Sequence, residues 1–397
     1  MSPPPAMAAV APALRASSAR RTLGGFALSG FLAALLGAIL PVWGYHLKFE
    51  FATAGHYFLG MAAGTAVAHE AGRRLRGRSS RFRLSLACAV ACLGLALLSL
   101  VSPPAAAGWR IGGMALVGLA LGLLNGSLFQ AIHPSWRQDP AATINVAGIF
   151  FGAGCLVSAL LAGALFYSAP ASGILALMAV IPAAFALLYA RTPAAPGGTT
   201  PRGDLRMKLL GFRNPAAILL ALLVFFQFGN EWSVAGWLPV FLIHRTGMSP
   251  ETSLRYLAMY WMALTLGRVA AMAVLPRMPH GRLLLGSAGA ALFGCILLMG
   301  TDNAEGAAVG VLLVGLGYAA VYPLVAEMIG HRFAYYRPGQ FNGIFSVALM
   351  GGLLAPAILG YAADAWGVGT VMVLPLVGTC MVVLLVLLIW LEAKIGG

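Results

Sequence analysis

Three polar residues of one apolar run have side chains that can bind a solute or carry a proton. Gln227, Asn230 and Glu231 stand at positions i, i+3 and i+4, and this spacing predicts that they share one face of a helix. Amides and carboxylates hydrogen-bond hydroxyl groups, while the neighbouring Trp232 and Trp237 offer flat faces for a ring. The pattern is typical of a sugar-binding site. The alternative is that Glu231 pairs with another helix and serves structure alone.

Glu231 is also the candidate proton carrier, because it is the one acidic residue near the middle of an apolar run. Ionisable side chains at membrane depth are costly and usually functional. The hypothesis is that Glu231 couples proton movement to solute movement or binds solute hydroxyls directly. Gly229, Gly236 and Pro239 permit a break in the same helix, which would expose backbone carbonyls to a binding site.

Further candidates for solute contact lie on other apolar runs. Tyr318 and Tyr322 are spaced by four residues next to Pro323, which predicts that both tyrosines line a cavity near Glu231 at a bend. The remaining candidates are Asn125, Asn342, His56 and Tyr57. For these four the alternative is hydrogen bonding or packing between helices.

Two charged residues near helix ends, Arg268 and Glu327, suggest a charge network that latches one conformation. The alternative is that each side chain reaches solvent separately. Glycines recur at small-x-x-x-small spacing, as in Gly60 with Gly64 and Gly118 with Gly122. This spacing predicts a close approach of neighbouring helices.

The composition is that of a membrane protein. The chain has 397 residues, of which 60% are hydrophobic and 9% charged, with a mean hydropathy of +0.88. A soluble domain carries about 25% charged residues, so a soluble enzyme is excluded. The five cysteines lie in apolar runs without metal or disulfide spacing, and no phosphate loop or hydrolase motif occurs. We therefore expect no enzyme, no metal and no cofactor.

The apolar runs predict twelve membrane-spanning helices, since about 20 apolar residues span a bilayer. The runs are 24–45, 52–72, 84–102, 109–132, 141–167, 171–190, 215–243, 253–276, 281–300, 306–330, 339–362 and 368–391. The predicted fold class is an all-α membrane protein with two six-helix bundles. Its predicted parts are an N-terminal tail (1–23), a first bundle (24–191), a linker (192–214), a second bundle (215–392) and a C-terminal tail (393–397).

The net charge of +14 provides a test of this topology. With the N-terminus in the cytoplasm, 20 of the 25 Lys and Arg residues fall on the cytoplasmic side, and Arg268 falls inside a helix. This excess follows the positive-inside rule and predicts that both termini are cytoplasmic. The basic excess is therefore a topology signal, and nucleic acid is not an expected partner. We expect a monomer surrounded by lipid, in a bacterial inner membrane.

The loop between the second and third runs resembles a signature of the major facilitator superfamily. The sequence GTAVAHEAGRR from Gly64 to Arg74 keeps the final Gly72, Arg73 and Arg74 of that signature, while Glu70 stands beside the usual position of its acid. The resemblance implies a gating role for Glu70, Arg73 and Arg74.

Motifs of the second half are similar to the fucose/glucose/galactose proton-symporter family. They are FGNEWSVAGWLPVFL (228–242), LTLGR (264–268), GLGYAAVYP (315–323) and FSVALMGGLLAPAILGYAAD (345–364). The resemblance implies alternating-access transport of a small neutral polyol, a hexose in first place, by symport driven by a proton gradient. Because the first and fourth runs lack the acids of that family, sodium coupling and uniport stay open. The alternatives are an efflux carrier for amphipathic drugs or lipid-like compounds and a non-transporting sensor.

Overall fold

The structure is a computed structural model that describes residues 20–46, 49–75, 77–136, 140–191, 215–274, 278–332 and 343–395. The linker 192–214, most of the predicted N-terminal tail and the candidate Asn342 lie outside the described residues. The described residues form twelve helices. They are α1 (Arg20–Tyr45), α2 (Phe51–Arg74), α3 (Ser80–Leu100), α4 (Ala107–Trp136), α5 (Pro140–Leu165), α6 (Ala171–Ala190), α7 (Pro215–Thr246), α8 (Pro250–Val274), α9 (His280–Gly300), α10 (Ala304–Ala319 continued by Val321–Arg332), α11 (Gly343–Trp366) and α12 (Thr370–Ile395).

Each predicted apolar run corresponds to one of these helices, with ends that differ by a few residues. Ten of the twelve are long and apolar enough to cross a membrane. The other two, α2 and α8, have 24 and 25 residues but carry several polar and charged side chains. Both pack between other helices, α2 against α4 and α11, and α8 against α5 and α10.

The helix pairings in the first six helices recur in the last six. In the first set, α2 contacts α4, α3 contacts both α4 and α6, and α1 contacts α5. In the second set the corresponding helices pair in the same way: α8 contacts α10, α9 contacts both α10 and α12, and α7 contacts α11. The two sets meet where α2 contacts α11, α5 contacts α8 and α1 contacts α7. The face of the bundle at which α1 begins is called the amino-terminal face below, and the opposite face is called the far face.

Glycines allow α2 and α4 to lie with their backbones in contact. A β-carbon on Gly64 would lie 1.9 Å from the carbonyl oxygen of Ala115, and one on Gly118 would lie 2.0 Å from that of Met61. Such distances are far inside van der Waals contact, so no larger residue fits without moving a helix. The close approach predicted from small-x-x-x-small spacing is therefore confirmed.

Two predictions about helix breaks have opposite outcomes. The helix α10 is interrupted at Ala320, because Pro323 has no N–H to donate to the carbonyl of Ala319, and the predicted bend is confirmed. The break that Gly229, Gly236 and Pro239 permit in α7 does not form, since the helix runs unbroken through Pro239. A proline removes only one backbone bond, and contacts of α7 with α1, α11 and α12 hold the segment helical.

The contact between α2 and α4 generates a stability prediction. Gly64→Ala forces the two backbones apart and is expected to destabilise the protein by about 1–3 kcal/mol, as overpacking does. The control is Gly112→Ala on α4, where a β-carbon meets no described atom within 4 Å and the gain in helix propensity is the same. Thermal unfolding in detergent measures the stability of both variants. Equal unfolding midpoints for Gly64→Ala and Gly112→Ala would contradict the close contact between α2 and α4.

Candidate functional site

A cavity of about 240 Å³ lies between the first six and the last six helices. Its lining comes from α1, α2, α4, α5, α7, α8, α10 and α11 and is mostly apolar. The aromatic residues of the lining, apart from Tyr322, are Phe26, Phe58, Phe129, Phe151, Phe228 and Trp232. The polar side chains of the lining are Thr65, Asn125, Glu231, Arg268 and Tyr322.

A buried ion pair forms the charged part of this lining. Glu231 Oε1 lies 3.5 Å from Arg268 Nη2, and the two side chains are 8% and 6% exposed. Arg268 Nη1 also donates a hydrogen bond of 2.7 Å to the backbone carbonyl of Gly148 on α5. A buried charge without a partner is strongly destabilising, so each member of the pair keeps the other in the cavity.

The antiparallel neighbours α7 and α8 bring the pair together. Glu231 lies in the middle of α7, and Arg268 lies six residues before the end of α8. The hydroxyl of Tyr260 on α8 donates to the backbone carbonyl of Glu231 at 3.3 Å. This bond fixes the register of the two helices next to the ion pair.

Aromatic rings flank the ion pair inside the cavity. Trp232 meets Phe151 edge to face at 5.9 Å between ring centroids, and it lies 5.8 Å from Trp261. Tyr322 meets the ring of Phe228 edge to face at 4.9 Å. Such contacts fix ring orientation. The site therefore combines one carboxylate, one guanidinium and several oriented rings.

Four of the predicted solute contacts line the cavity, namely Glu231, Trp232, Tyr322 and Asn125. Asn125 Oδ1 on α4 accepts a hydrogen bond of 2.6 Å from Ser29 on α1, which leaves its amide nitrogen for another partner. Sequence reasoning missed Gly148 and Phe151, because a glycine and a phenylalanine within an apolar run do not distinguish a cavity wall from a contact between helices.

Three other predicted contacts are buried away from the cavity. Asn230 Nδ2 donates to Thr379 Oγ1 on α12 at 3.3 Å, and the Tyr318 hydroxyl lies 2.8 Å from the same oxygen. Gln227 is fully buried, and its Nε2 donates to the Tyr318 carbonyl at 3.5 Å. The expectation of one polar face on α7 is thus wrong for Asn230, because its side of α7 packs against α12.

His56 and Tyr57 also lie outside the lining. The Tyr57 hydroxyl accepts a hydrogen bond of 2.8 Å from Arg110 Nε within the first six helices. The His56 ring is exposed and meets the ring of Tyr361 at 5.4 Å.

Trp237 belongs to a closing layer that joins the two sets of helices on the far-face side of the cavity. We define this layer as Trp237 with Phe51 and Phe58, which stack on it at 6.4 and 5.7 Å between centroids. The indole Nε1 of Trp237 donates to the carbonyl of Pro356 on α11 at 2.8 Å. Trp237 is fully buried, so α2 and α7 can move apart on this side of the cavity only if these ring contacts separate.

The predicted gating residues on α2 pair with one another. Arg73 and Arg74 lie 3.1 and 3.5 Å from the Glu70 carboxylate, and all three side chains are at least half exposed. Exposed ion pairs within one helix contribute little to stability. In this conformation Glu70 therefore contacts its own helix.

The predicted pairing of Arg268 with Glu327 is wrong. Arg268 pairs with Glu231, whereas Glu327 Oε2 lies 3.7 Å from His280 Nε2 on α9. Arg268 and Glu327 do not meet because their side chains lie at different depths in the helix bundle. The cavity reaches Arg268 and offers it a buried carboxylate, while Glu327 lies beside the start of α9.

Comparison with known sequences identifies related proteins. The sequence profile of the Major Facilitator Superfamily matches residues 137–356. An uncharacterised MFS-type transporter of Yersinia pestis is 28% identical over 284 residues, which cover 70% of this chain and 71% of that protein. A glucose/galactose transporter of Brucella abortus is 29% identical over 164 residues, which cover 40% of this chain and 39% of that protein.

Comparison with solved structures shows a shared fold. The fucose:proton symporter of E. coli superposes with a TM-score of 0.64 at 16% identity, covering 93% of this chain and 98% of that one. The nucleoside transporter NupG superposes with a TM-score of 0.71 at 13% identity, covering 96% and 99%. At these identities the likeness concerns the fold alone.

The ion pair generates a prediction about stability. Arg268→Gln leaves the Glu231 carboxylate buried without its counter-charge and is expected to cost about 3–5 kcal/mol. The double variant Glu231→Gln/Arg268→Gln removes both charges and is expected to recover part of the loss. The exposed pair Arg245–Asp302 is the control, since Arg245→Gln should cost less than about 1 kcal/mol. Thermal unfolding of the variants measures these losses of stability. A double variant that is less stable than Arg268→Gln would contradict the pairing of Glu231 with Arg268.

The closing layer generates a prediction about local opening. Trp237→Phe keeps the ring contacts but removes the hydrogen bond to Pro356. Hydrogen exchange of the α11 amides at 353–360 should accelerate about fivefold, because the lost bond joins α7 to α11 and one buried hydrogen bond contributes about 1 kcal/mol. Trp366→Phe is the control, since Trp366 is exposed at the end of α11. Equal exchange in both variants would remove the closing role of Trp237.

Proposed function

The chain belongs to the Major Facilitator Superfamily and is a multi-pass membrane transporter, and from this premise we propose that it carries a small sugar by proton-coupled symport. The proposal includes a topology. All twelve helices span the membrane, 24–191 and 215–392 form the two bundles, and the amino-terminal face is cytoplasmic. The repeated helix pairings and the basic excess on that face support this arrangement. The proposed location is a bacterial inner membrane, and the proposed state is a monomer.

The observation that carries the proposal is the Glu231–Arg268 pair in a cavity between the two sets of helices. A sugar hydroxyl donates to a carboxylate and accepts from a guanidinium. The rings of Trp232 and Tyr322 provide faces for the C–H surface of a sugar. The names of two similar proteins, a glucose/galactose transporter and a fucose:proton symporter, support the same substrate class.

Proton coupling is proposed for Glu231 because of its position. It is the one carboxylate in the lining of the cavity among the described residues. A proton on Glu231 removes the counter-charge of Arg268, and a buried charge without a partner favours a different arrangement. The solute and the proton would then act on the same pair. The helices α1 and α4 contain no acid, which is why sodium coupling and uniport stay as alternatives.

A second candidate function is supported by the aromatic lining. Most of the residues around the cavity are apolar, and five of them are phenylalanines; apolar walls favour the binding of amphipathic drugs or lipid-like compounds. On this alternative the protein exports such compounds, and the ion pair holds structure. A sensor that binds without moving its ligand is separated from both by measuring transport directly.

The test uses purified protein in liposomes. Labelled hexoses should accumulate when an inward proton gradient is applied, and sugar binding should raise the thermal midpoint because a ligand stabilises the folded state. Glu231→Gln should abolish accumulation and keep exchange of sugar across the membrane. Glu305→Gln is the matched control, since Glu305 is an exposed acid in the first turn of α10.

Two results would contradict the proposal. Stabilisation by amphipathic compounds but by no sugar would favour the export alternative. Accumulation of sugar that survives Glu231→Gln would remove the proton role of Glu231.

A further inference from the structure

The seam between α5 and α8 is built to hold two α8 side chains. A β-carbon on Gly148 would lie 2.8 Å from Arg268 Nη1, and one on Gly152 would lie 2.2 Å from Thr265 Oγ1. Glycines four residues apart thus form a slot along α5. Because α5 belongs to the first six helices and α8 to the last six, the slot lies where the two sets meet beside the cavity.

Arg268 has one anchor in each set. Its Nη2 lies 3.5 Å from Glu231 Oε1 on α7, and its Nη1 donates to the Gly148 carbonyl at 2.7 Å. The guanidinium is buried, so both anchors contribute to satisfying its charge and its N–H groups. The Glu231 carboxylate on α7 and the Gly148 carbonyl on α5 together therefore determine the position of the Arg268 side chain.

Asn145 shows that the closed seam leaves polar groups without partners. It lies three residues before Gly148 and therefore on the same side of α5. It is fully buried, and neither Oδ1 nor Nδ2 has a hydrogen-bond partner in the described part of the chain. An unsatisfied buried amide costs free energy, which water would relieve if the seam opened. A closed seam therefore requires an interaction that holds it.

We propose that Arg268 is the positioning residue that latches α5 to α8 through the Gly148 carbonyl while Glu231 is charged, and that it releases α5 when a proton neutralises Glu231. This inference rests on the proposed function and adds a route from Glu231 to the contact between the two sets of helices. Neutral Glu231 leaves the guanidinium without its counter-charge, so Arg268 moves toward water in the cavity, its bond to Gly148 breaks and Asn145 becomes hydrated.

The surroundings of Glu231 leave Arg268 as its one charged neighbour within the described residues. The other titratable groups that interact with Glu231 are Tyr260 on α8, Tyr322 on α10 and Cys155 on α5. A tyrosine and a thiol are uncharged near neutral pH in their ordinary state. A change of charge at Glu231 therefore acts first on Arg268.

The first experiment measures opening of the seam without any solute. Hydrogen exchange of the α5 amides at 144–152 is compared in wild type, Glu231→Gln and Gly148→Ala. Both variants should accelerate exchange about tenfold, since a hydrogen bond to a charged group is lost. Gly289→Ala on α9 is the control, because a β-carbon there meets no described atom within 4 Å. Unchanged exchange in Glu231→Gln, or equal exchange in Gly148→Ala and Gly289→Ala, would overturn the latch.

A double variant tests whether both changes act through the same contact. Glu231→Gln/Gly148→Ala should exchange no faster than Glu231→Gln alone, because the bond is already broken. Additive acceleration would show two independent effects and would overturn the proposal. If Gly148→Ala fails to fold, Arg268→Lys replaces it, since an ammonium keeps the charge but lacks the fork that reaches two acceptors.

Transport separates this proposal from the proposed function. In liposomes Gly148→Ala should lower the number of protons moved per sugar about tenfold relative to Gly289→Ala. If the wild type moves neither sugar nor protons, the proposed function fails, while the exchange data still decide the latch. If the wild type is coupled and Gly148→Ala keeps the same ratio, the latch fails alone.

Discussion

The buried ion pair between Glu231 and Arg268 is the interaction on which the rest of the site depends. Taking either charge out of water alone costs several kcal/mol, so α7 and α8 must hold both side chains at one depth. The Tyr260 hydroxyl on the Glu231 carbonyl fixes that register. The glycine slot on α5 then admits the guanidinium to a second acceptor. The position of three helices is thereby linked to one pair of opposite charges.

The apolar walls around this pair decide what kind of solute can enter. Rings exclude water without offering hydrogen bonds, so orientation of a ligand rests on the few polar groups that remain. Within the described lining these are the ion pair, Thr65, Asn125, Tyr322 and the indole of Trp232. The hydroxyls of a sugar, the substrate class proposed above, can hydrogen-bond to several of these groups at once, whereas an amphipathic compound gains more from the apolar walls.

Sequence reasoning predicted the helices because bilayer thickness and backbone hydrogen bonding act on every apolar run alike. It also predicted the bend near Pro323 and the close glycine contacts, which depend on local chemistry. It paired Arg268 with Glu327 and not with Glu231, because the sequence does not show which charged residues of different helices lie at the same depth. It misplaced Asn230, because hydropathy cannot distinguish the side of α7 that lines the cavity from the side that packs against α12.

Because α7 is unbroken, Glu231 and Trp237 lie on one continuous helix. Trp237 follows Glu231 by six residues, about 9 Å along a continuous helix at 1.5 Å per residue. A break between them would have allowed the closing layer to separate without disturbing the ion pair. In a continuous α7, a movement of the helix that separates Trp237 from Phe51 and Phe58 also displaces Glu231 and changes its distance to Arg268. Closure of the far face and the state of the ion pair are therefore mechanically coupled along one helix.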